Sequence, residues 1–108
     1  MPTPWVEVVE TPEFLRAADK LIPLAERDDL IRFLARNPKA GDVIPATGGI
    51  RKLRWAVQGK GKRGGVRIIY YYRNERLPLF LIAAYAKSRQ SDLTPEQLRA
   101  VRALAADL

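Results

Sequence analysis

The sequence GKGKRGGVRIIYYY, residues 59–72, changes character halfway along its length. Its first seven residues contain four glycines and three cationic side chains, whereas the second half is apolar and aromatic. Residues 51–58, just before it, alternate between apolar and polar side chains, as a strand with one buried face does. Two strand patterns joined by a short glycine-rich loop predict an antiparallel β-hairpin.

The period of two in a strand predicts which side chains of this hairpin share a face. The core-facing side of the first strand is expected to hold Leu53, Trp55 and Val57. The second strand is VRIIYYYR, residues 66–73, and its three consecutive tyrosines cannot all face one way. At least one of these tyrosines is therefore expected in the core.

The opposite faces of the two strands carry most of the chemistry. Lys52 and Arg54 share one face of the first strand. One face of the second strand carries Arg67, Ile69, Tyr71 and Arg73. If the hairpin aligns these faces, we expect an open cationic sheet surface that binds phosphate, with an aromatic ring able to stack an unpaired base.

The net positive charge lies in the same part of the chain. The formal net charge is +7, and residues 51–76 contain nine Lys and Arg side chains and one acid, so the other residues nearly balance. Charge concentrated in one segment predicts a polyanion site, for RNA, DNA or an anionic lipid surface. The alternative is a solvated hairpin that is merely rich in Lys and Arg. The predicted contacts to nucleic acid are Arg51, Lys60, Lys62, Arg63, Arg73 and Arg89.

The elements around the hairpin predict an α+β domain spanning residues 1–108. Thr11 and Thr94 both precede a proline and an acid, the composition of a helix N-terminus, and Thr94 with Gln97 has the form of a capping box. The expected order is a strand at 5–9, helices at 11–22 and 23–36, a loop at 38–50, the hairpin, a strand at 77–86 and a helix at 94–108. We expect the N-terminal strand and two helices to pack on an antiparallel sheet.

Composition limits the chemistry. The chain contains no histidine and no cysteine, so a zinc site lacks its ordinary ligands and we expect no metal and no cofactor. No apolar run reaches the length of a membrane span, which favours a cytoplasmic location. Residues 59–64 match G-x-G-x-x-G, but a strand follows instead of a helix, and the dinucleotide-binding interpretation is rejected.

The order of elements, GGIRKLRWAVQGKGKRGGVRIIYYY at 48–72 and AAYAKSRQSDLTPEQL at 83–98 resemble the RelE superfamily of bacterial type II toxins. The HigB branch is the most similar, through a GxGKRGGxRxIYY-type hairpin and a Y-x-K…S-D-L ending. The resemblance implies an mRNA interferase that cleaves translated mRNA in the ribosomal A site. It also implies a cognate antitoxin, usually a small helix-turn-helix DNA-binding protein in the HigB branch.

The resemblance also implies roles for individual residues. Lys52 and Arg54 match basic strand residues that contact mRNA and assist proton transfer, and Arg67 matches the arginine that stabilises the phosphate transition state. Lys87 matches a basic residue at the end of the last strand. The RelE positions for a further arginine and a catalytic tyrosine hold Ser88 and Thr94 here, which leaves Arg89 and either Tyr71 or Tyr85 as substitutes; of the two tyrosines we assign Tyr71 to the catalytic set.

Three classes of function therefore stay open. The first is a ribosome-dependent endoribonuclease toxin that needs no metal and uses the RNA 2′-hydroxyl as nucleophile. The second is a non-catalytic module that binds RNA or the ribosome. The third is a structural relative whose basic face binds an acidic protein.

Overall fold

The elements of the protein follow the predicted order, with one strand more than the sequence indicates. The computed structural model describes residues 5–57 and 65–108, and the loop cations Lys60, Lys62 and Arg63 lie outside the described residues. The described elements are β1 (Val8–Glu10), α1 (Pro12–Leu21), α2 (Leu24–Arg36), β2 (Asp42–Val43), β3 (Ile50–Trp55), β4 (Val66–Tyr71), β5 (Leu79–Ala86) and α3 (Pro95–Ala106).

The strands form a mixed sheet in the order β1-β5-β4-β3-β2. The predicted α+β class and the antiparallel hairpin of β3 and β4 are confirmed. The sequence did not give the parallel pairing of β1 with β5, and it placed the first strand about two residues too early. The two-residue strand β2 lies in the segment predicted as a loop and pairs with β3.

Helices cover both faces of the sheet, and β4 is buried on both of them. One face packs against α1 and α2 and holds the larger apolar cluster; we call it the α1–α2 face. The other packs against α3 and holds a second cluster, and we call it the α3 face. Because β4 is sandwiched, its residues other than Arg67 are apolar or aromatic and do not alternate with polar ones, as in a central strand.

The first two helices begin as the sequence predicts. The Thr11 hydroxyl accepts a hydrogen bond from the Phe14 backbone N–H at 3.2 Å and donates to the Leu81 carbonyl at 2.7 Å, which ties α1 to β5. Apolar residues at helical spacing in the sequence predict that α2 buries a stripe containing Leu24, Leu30 and Leu34. Leu30 and Leu34 are buried, which confirms the stripe there, but the prediction is wrong for Leu24, which is 73% exposed at the first turn of the helix.

The C-terminal helix carries the predicted capping box between Thr94 and Gln97. Its stripe packs on the α3 face through Val101 and Ala105. The repeat of Leu98, Val101, Leu104 and Leu108 in the sequence predicts a stripe that continues to Leu108. That continuation is wrong, since the helix ends at Ala106 and Leu108 is exposed.

Two aromatic residues of the hairpin lie on the α1–α2 face. Trp55 packs against the core on the same side as Leu53 and Val57, as predicted, and its ring lies 5.6 Å from that of Phe33. Tyr70 is completely buried, and its hydroxyl donates to the Pro38 carbonyl and accepts from the Gly41 N–H, both at 2.8 Å.

Gly41 is required beside Tyr70, because a Cβ atom there would lie 2.9 Å from the Lys52 carbonyl oxygen and from the Tyr70 ring. The buried phenol therefore fixes the chain just before β2. Since the Lys52 carbonyl is part of this packing, the position of β3 depends on Gly41 as well.

Tyr70→Phe should lower the free energy of unfolding by about 2 kcal/mol, because it leaves a buried N–H and a carbonyl without their partner. Urea denaturation measures the loss. Tyr72→Phe is the matched control, since Tyr72 belongs to the same cluster and makes no hydrogen bond with the described residues through its hydroxyl. Equal stability of the two variants would contradict an anchoring role for Tyr70.

Candidate active site

The register of the hairpin brings two arginines directly opposite each other. Arg54 on β3 pairs with Arg67 on β4, and Arg67 in turn pairs with Tyr85 on β5. Directly opposite residues of antiparallel strands have Cβ atoms about 5 Å apart. The three side chains therefore form a row across the α3 face, near the end of the sheet at which β4 begins.

The members of this row differ in exposure. Arg54 is exposed to solvent, whereas Arg67 is only 7% exposed and Tyr85 is buried. Gly65 makes the close approach of β4 to β3 possible: its φ is +54° and an added Cβ would lie 2.4 Å from the Trp55 carbonyl oxygen. The arrangement offers a solvent-facing cation beside a restrained, buried one.

The Tyr85 hydroxyl is buried; in the described ranges it forms no hydrogen bond of regular geometry, although it interacts with the Asp92 carboxylate. Burial raises the pKa of Tyr85, the nearby Asp92 carboxylate raises it further, and Arg67 opposes both effects. The phenol is therefore neutral at physiological pH and available as a hydrogen-bond donor. A buried polar group without a partner is uncommon in native proteins and often marks a functional position.

Asp92 enters the site from the segment between β5 and α3. Its Oδ1 lies 3.3 Å from the Lys52 Nζ and accepts from the Leu93 N–H at 2.8 Å. The Leu93 N–H lowers the pKa of Asp92 most, and the charges of Lys52 and Lys87 lower it as well. The carboxylate is ionised at neutral pH. In the free protein it forms an ion pair with the Lys52 ammonium.

Lys87 lies beside this pair, at the end of β5. Its Nζ donates to the Ser91 carbonyl at 3.1 Å, and its backbone N–H donates to the Gly65 carbonyl at 3.1 Å. The second bond joins the end of β5 to the start of β4, where Arg67 lies. Four predicted site residues are thus brought together: Lys52, Arg54, Arg67 and Lys87. We call these four residues with Tyr85 and Asp92 the cationic site.

Asp92→Asn should raise the affinity for single-stranded RNA by about two- to fivefold. The exposed ion pair with Lys52 is worth a fraction of a kcal/mol to about 1 kcal/mol, and its loss frees the ammonium for phosphate. Fluorescence anisotropy with a short labelled RNA at fixed salt measures this gain. Asp29→Asn on α2 makes the same change of charge on the α1–α2 side and should raise the affinity less. An equal gain in both variants would show a general effect of net charge.

Tyr71 and Arg73 lie at the other end of β4. Tyr71 pairs with Ile50, four residues from Arg67, which corresponds to roughly 13 Å along a strand. Its hydroxyl accepts from Arg73 Nε at 3.2 Å. The expectation of one open cationic surface is wrong, because α3 packs over Ile69 and Tyr71, which lie between Arg67 and Arg73. The structure therefore does not bring Tyr71 or Arg73 into the cationic site.

Two further predicted RNA contacts lie elsewhere. The Arg51 side chain donates to the carbonyls of Lys39 and Gly41, at 3.2 and 2.7 Å, and so braces the chain before β2. Arg89 lines a separate cleft with Lys20 and Ser88. Neither Arg89 nor Ser88 therefore belongs to the row of Arg54, Arg67 and Tyr85.

Sequence reasoning did not include Asp92 and named Tyr85 only as a substitute. Asp92 lies outside the basic segment 51–76, so charge patterning gave it no weight. The signal that could have found it is the S-D-L sequence before the last helix, since a carboxylate there is close to the end of β5. In the described part of the chain, no three acidic side chains converge as a metal site requires.

Comparison with known proteins identifies the family of the chain. The family model described as the RelE toxin of the RelE / RelB toxin-antitoxin system matches residues 28–108. The chain belongs to the RelE toxin family. The match covers most of the chain and includes every residue of the cationic site. The predicted superfamily is therefore confirmed, and the protein is the toxin of a toxin-antitoxin system. The HigB-like branch stays a prediction.

A solved structure of the Escherichia coli toxin RelE, a double mutant in the free state, has a similar fold. The TM-score is 0.57 at 15% sequence identity, and the alignment covers 81% of this chain and 88% of the E. coli chain. At that identity the likeness concerns the fold alone. Helices long and apolar enough to cross a membrane are absent from residues 5–57 and 65–108.

Proposed function

We propose that this RelE-family protein is a ribosome-dependent endoribonuclease that cleaves translated mRNA in the A site. Family membership supports the class, and the observation that carries the proposal is the row of Arg54, Arg67 and Tyr85 with Lys52 beside it. Such a site can bind a phosphodiester and stabilise added negative charge on it. Within the RelE family, the chain resembles the HigB branch in its hairpin and its S-D-L sequence.

The reaction starts with the RNA 2′-hydroxyl, which loses its proton to solvent and attacks the adjacent phosphorus. The oxygen–phosphorus bond to the next nucleotide breaks and the leaving 5′-oxygen takes up a proton, which gives a 2′,3′-cyclic phosphate upstream and a 5′-hydroxyl downstream. Arg67, buried and restrained between β3 and β5, is placed to stabilise the charge that grows on the phosphorane oxygens. Arg54 adds a second, solvent-facing guanidinium that can also hold the RNA backbone.

We assign the donation of a proton to the leaving oxygen to the groups around Asp92. Lys52 is held by that carboxylate, and Lys87 lies close enough to lower the pKa of Asp92. Tyr85, whose pKa is raised, supplies a neutral hydroxyl rather than a base. The low pKa of Asp92 makes it a weak base, so its role is to orient Lys52 until a phosphate takes its place.

The ribosome is needed because a basic site binds RNA backbone broadly. Phosphate contacts position a strand but do not by themselves bring one 2′-hydroxyl into line with its phosphorus. A codon held in the A site can present that geometry. We propose that the reaction needs no metal, since guanidinium and ammonium groups supply the charge that an ion would supply, and the chain lacks histidine and cysteine.

The family implies a cognate antitoxin. We propose that it is a helix-turn-helix DNA-binding protein whose acidic segment covers or distorts the cationic site, in the cytoplasm where translation occurs. Charge complementarity with the site's cations supports this mode. Antitoxin binding that is unchanged by substitutions at Lys52, Arg54 and Arg67 would show that inhibition acts at another surface.

The test is cleavage of an mRNA on programmed ribosomes, with a transition-metal chelator present and magnesium kept for the ribosome. We expect cleavage in the A-site codon and products that carry a 2′,3′-cyclic phosphate and a 5′-hydroxyl. Rapid cleavage of naked RNA would contradict the requirement for the ribosome. Salt-dependent RNA binding without cleavage would favour the non-catalytic module.

A further inference from the structure

A second cationic cleft lies at the end of β4 opposite the cationic site. Its volume is about 410 Å³, and it is bounded by the segment before β3, the end of β4 and the last turns of α3. The polar groups that line it come from Thr47, Tyr71, Arg73 and Arg102. We call it the Arg73–Arg102 cleft.

The two arginines of this cleft come from different elements and lack a counter-charge. No acidic side chain lines the cleft among the described residues. The ion pairs found in residues 5–57 and 65–108 are Arg27–Asp19 and Lys52–Asp92, so neither Arg73 nor Arg102 takes part in one. Two like charges brought to one concave surface without a neutralising partner favour the binding of an anion.

Arg73 is already oriented by a bond that does not occupy its terminal nitrogens. Its Nε–H donates to the Tyr71 hydroxyl at 3.2 Å, and its guanidinium carbon lies 5.8 Å from the centre of the Tyr71 ring. A guanidinium held through Nε keeps both terminal NH₂ groups for a phosphate or carboxylate. Tyr71, set aside from the cationic site, thus has a role in positioning Arg73.

One feature of the cleft works against an anion. The helix α3 ends at Ala106, and Ala105 and Ala106 line the cleft, so the partial negative charge of the helix C-terminus lies nearby. That charge is about half an elementary charge and Asp107, the C-cap residue after Ala106, adds one more, whereas the two guanidiniums carry two full charges. The net electrostatic preference of the cleft is therefore for an anion.

We propose that the Arg73–Arg102 cleft binds a backbone phosphate of RNA at a distance from the scissile bond; in its link to cleavage, this rests on the proposed function. Arg73 lies six residues from Arg67 on the same face, which corresponds to roughly 20 Å along an extended chain. The helix α3 covers the strand between them. The cleft therefore holds RNA at a second point, several nucleotides from the cationic site or in a neighbouring RNA segment.

RNA is favoured over an acidic protein because the same face of the sheet carries the cationic site. A protein carboxylate has the same local chemistry, and the experiment separates the two. Arg102→Ala is the main variant, since Arg102 is exposed on a helix and alanine is the best helix former. Arg32→Ala on α2 is the matched control: it removes the same charge from an exposed helix on the α1–α2 side.

The first measurement uses inorganic phosphate alone. Proton–nitrogen spectra of the arginine Nε–H groups are recorded as phosphate replaces chloride at constant ionic strength. We expect the signals of Arg73 and Arg102 to shift with saturation and that of Arg32 to stay in place. The absence of a saturable shift at Arg73 and Arg102 would overturn the proposal.

The second measurement is RNA affinity against salt concentration. Removing one phosphate contact should reduce the slope of log K against log salt by about 0.7 for single-stranded RNA in Arg102→Ala and leave it unchanged in Arg32→Ala. On programmed ribosomes, Arg102→Ala should raise KM about fivefold and leave kcat unchanged, the result of lost uniform binding.

The outcomes separate this proposal from the proposed function. Equal losses in Arg102→Ala and Arg32→Ala would overturn the cleft, because only total charge would matter. Saturable binding of an acidic peptide that shifts Arg73 and Arg102, with RNA affinity unaffected by Arg102→Ala, would overturn RNA as the ligand. If the phosphate and salt results hold while wild-type protein cleaves nothing on ribosomes, the cleft is supported and the proposed function fails.

Discussion

Arg67→Ala should lower the rate of mRNA cleavage on programmed ribosomes by about 10²- to 10³-fold, the usual cost of removing one group that stabilises transition-state charge. Arg67 is 7% exposed and lies between Arg54 and Tyr85, so its guanidinium is held in place before substrate arrives. Pre-organisation of this kind is what makes a charge effective in the transition state. Arg67→Lys should also lose most activity, because an ammonium cannot reproduce the planar two-point contact.

A buried arginine can matter for folding as well as for chemistry, and the chain offers a control for this. Arg27 is 8% exposed on α2 and pairs with Asp19 at 3.0 Å, on the opposite side of the sheet from Arg67. Arg27→Ala should lower the melting temperature yet retain cleavage per folded molecule. Circular dichroism gives the folded fraction, and single-turnover cleavage gives the rate. A folded Arg67→Ala protein with full activity would contradict the assignment of this site.

The sequence predicted that Lys52, Arg54 and Arg67 share a face of the hairpin because the face of a strand residue depends on local information, the period of two. The register that sets Arg54 opposite Arg67 was not predicted, because ten residues separate Trp55 from Val66 and no short turn type fixes the pairing. Lys52 and Arg54 therefore lie on the predicted side of β3, with Arg67 facing Arg54. Trp55 follows the same rule on the opposite side.

Tyr71 shows where that information ends. Periodicity put Tyr71 correctly on the face that carries Arg67. It does not give the distance along the strand, and Tyr71 lies roughly 13 Å from Arg67 in that direction. The sequence also gave no means of placing α3, which covers the middle of that face. The packing of a helix on a sheet is a long-range contact. It depends on which apolar face of the helix packs against which apolar cluster of the sheet.

Asp92 and the first strand were beyond prediction for the same reason. Asp92 meets Lys52 only because α3 folds back and positions the segment before it, a contact across 40 residues. The parallel pairing of β1 with β5 joins residues about 70 positions apart. Tyr85 lies in a strand that is apolar on both faces, so its sequence did not distinguish a core tyrosine from one beside Arg67.

Tyr85→Phe should lower the cleavage rate by about 10²-fold, as loss of a positioned proton donor does. The hydroxyl is buried beside Arg67 and Asp92, and its raised pKa keeps it protonated at neutral pH. The same substitution should leave stability nearly unchanged, because the hydroxyl it removes forms no hydrogen bond of regular geometry in residues 5–57 and 65–108. Cleavage on programmed ribosomes and urea denaturation measure the two effects.

The pKa of Tyr85 predicts a further difference at alkaline pH. A folded-state pKa above the unfolded value means that the stability due to this group is complete below about pH 10 and is lost as pH rises through the folded pKa. Wild-type protein should therefore lose more stability than Tyr85→Phe as pH rises above about 10. Tyr70, whose pKa is also raised by burial, contributes the same dependence to both proteins and cancels in the comparison.

Opposite changes in activity and stability distinguish a functional tyrosine from a structural one. Tyr70→Phe should lose stability because its hydroxyl bonds Gly41 and Pro38, whereas Tyr85→Phe should lose cleavage without losing stability. Tyr72→Phe, on the α1–α2 face, should change neither. Full cleavage by Tyr85→Phe together with inactive, folded Tyr71→Phe would move the catalytic ring to the other end of β4. The buried Tyr85 hydroxyl lacks a hydrogen bond of regular geometry in the described ranges, and a reacting phosphate beside Arg67 is a partner that the site can supply.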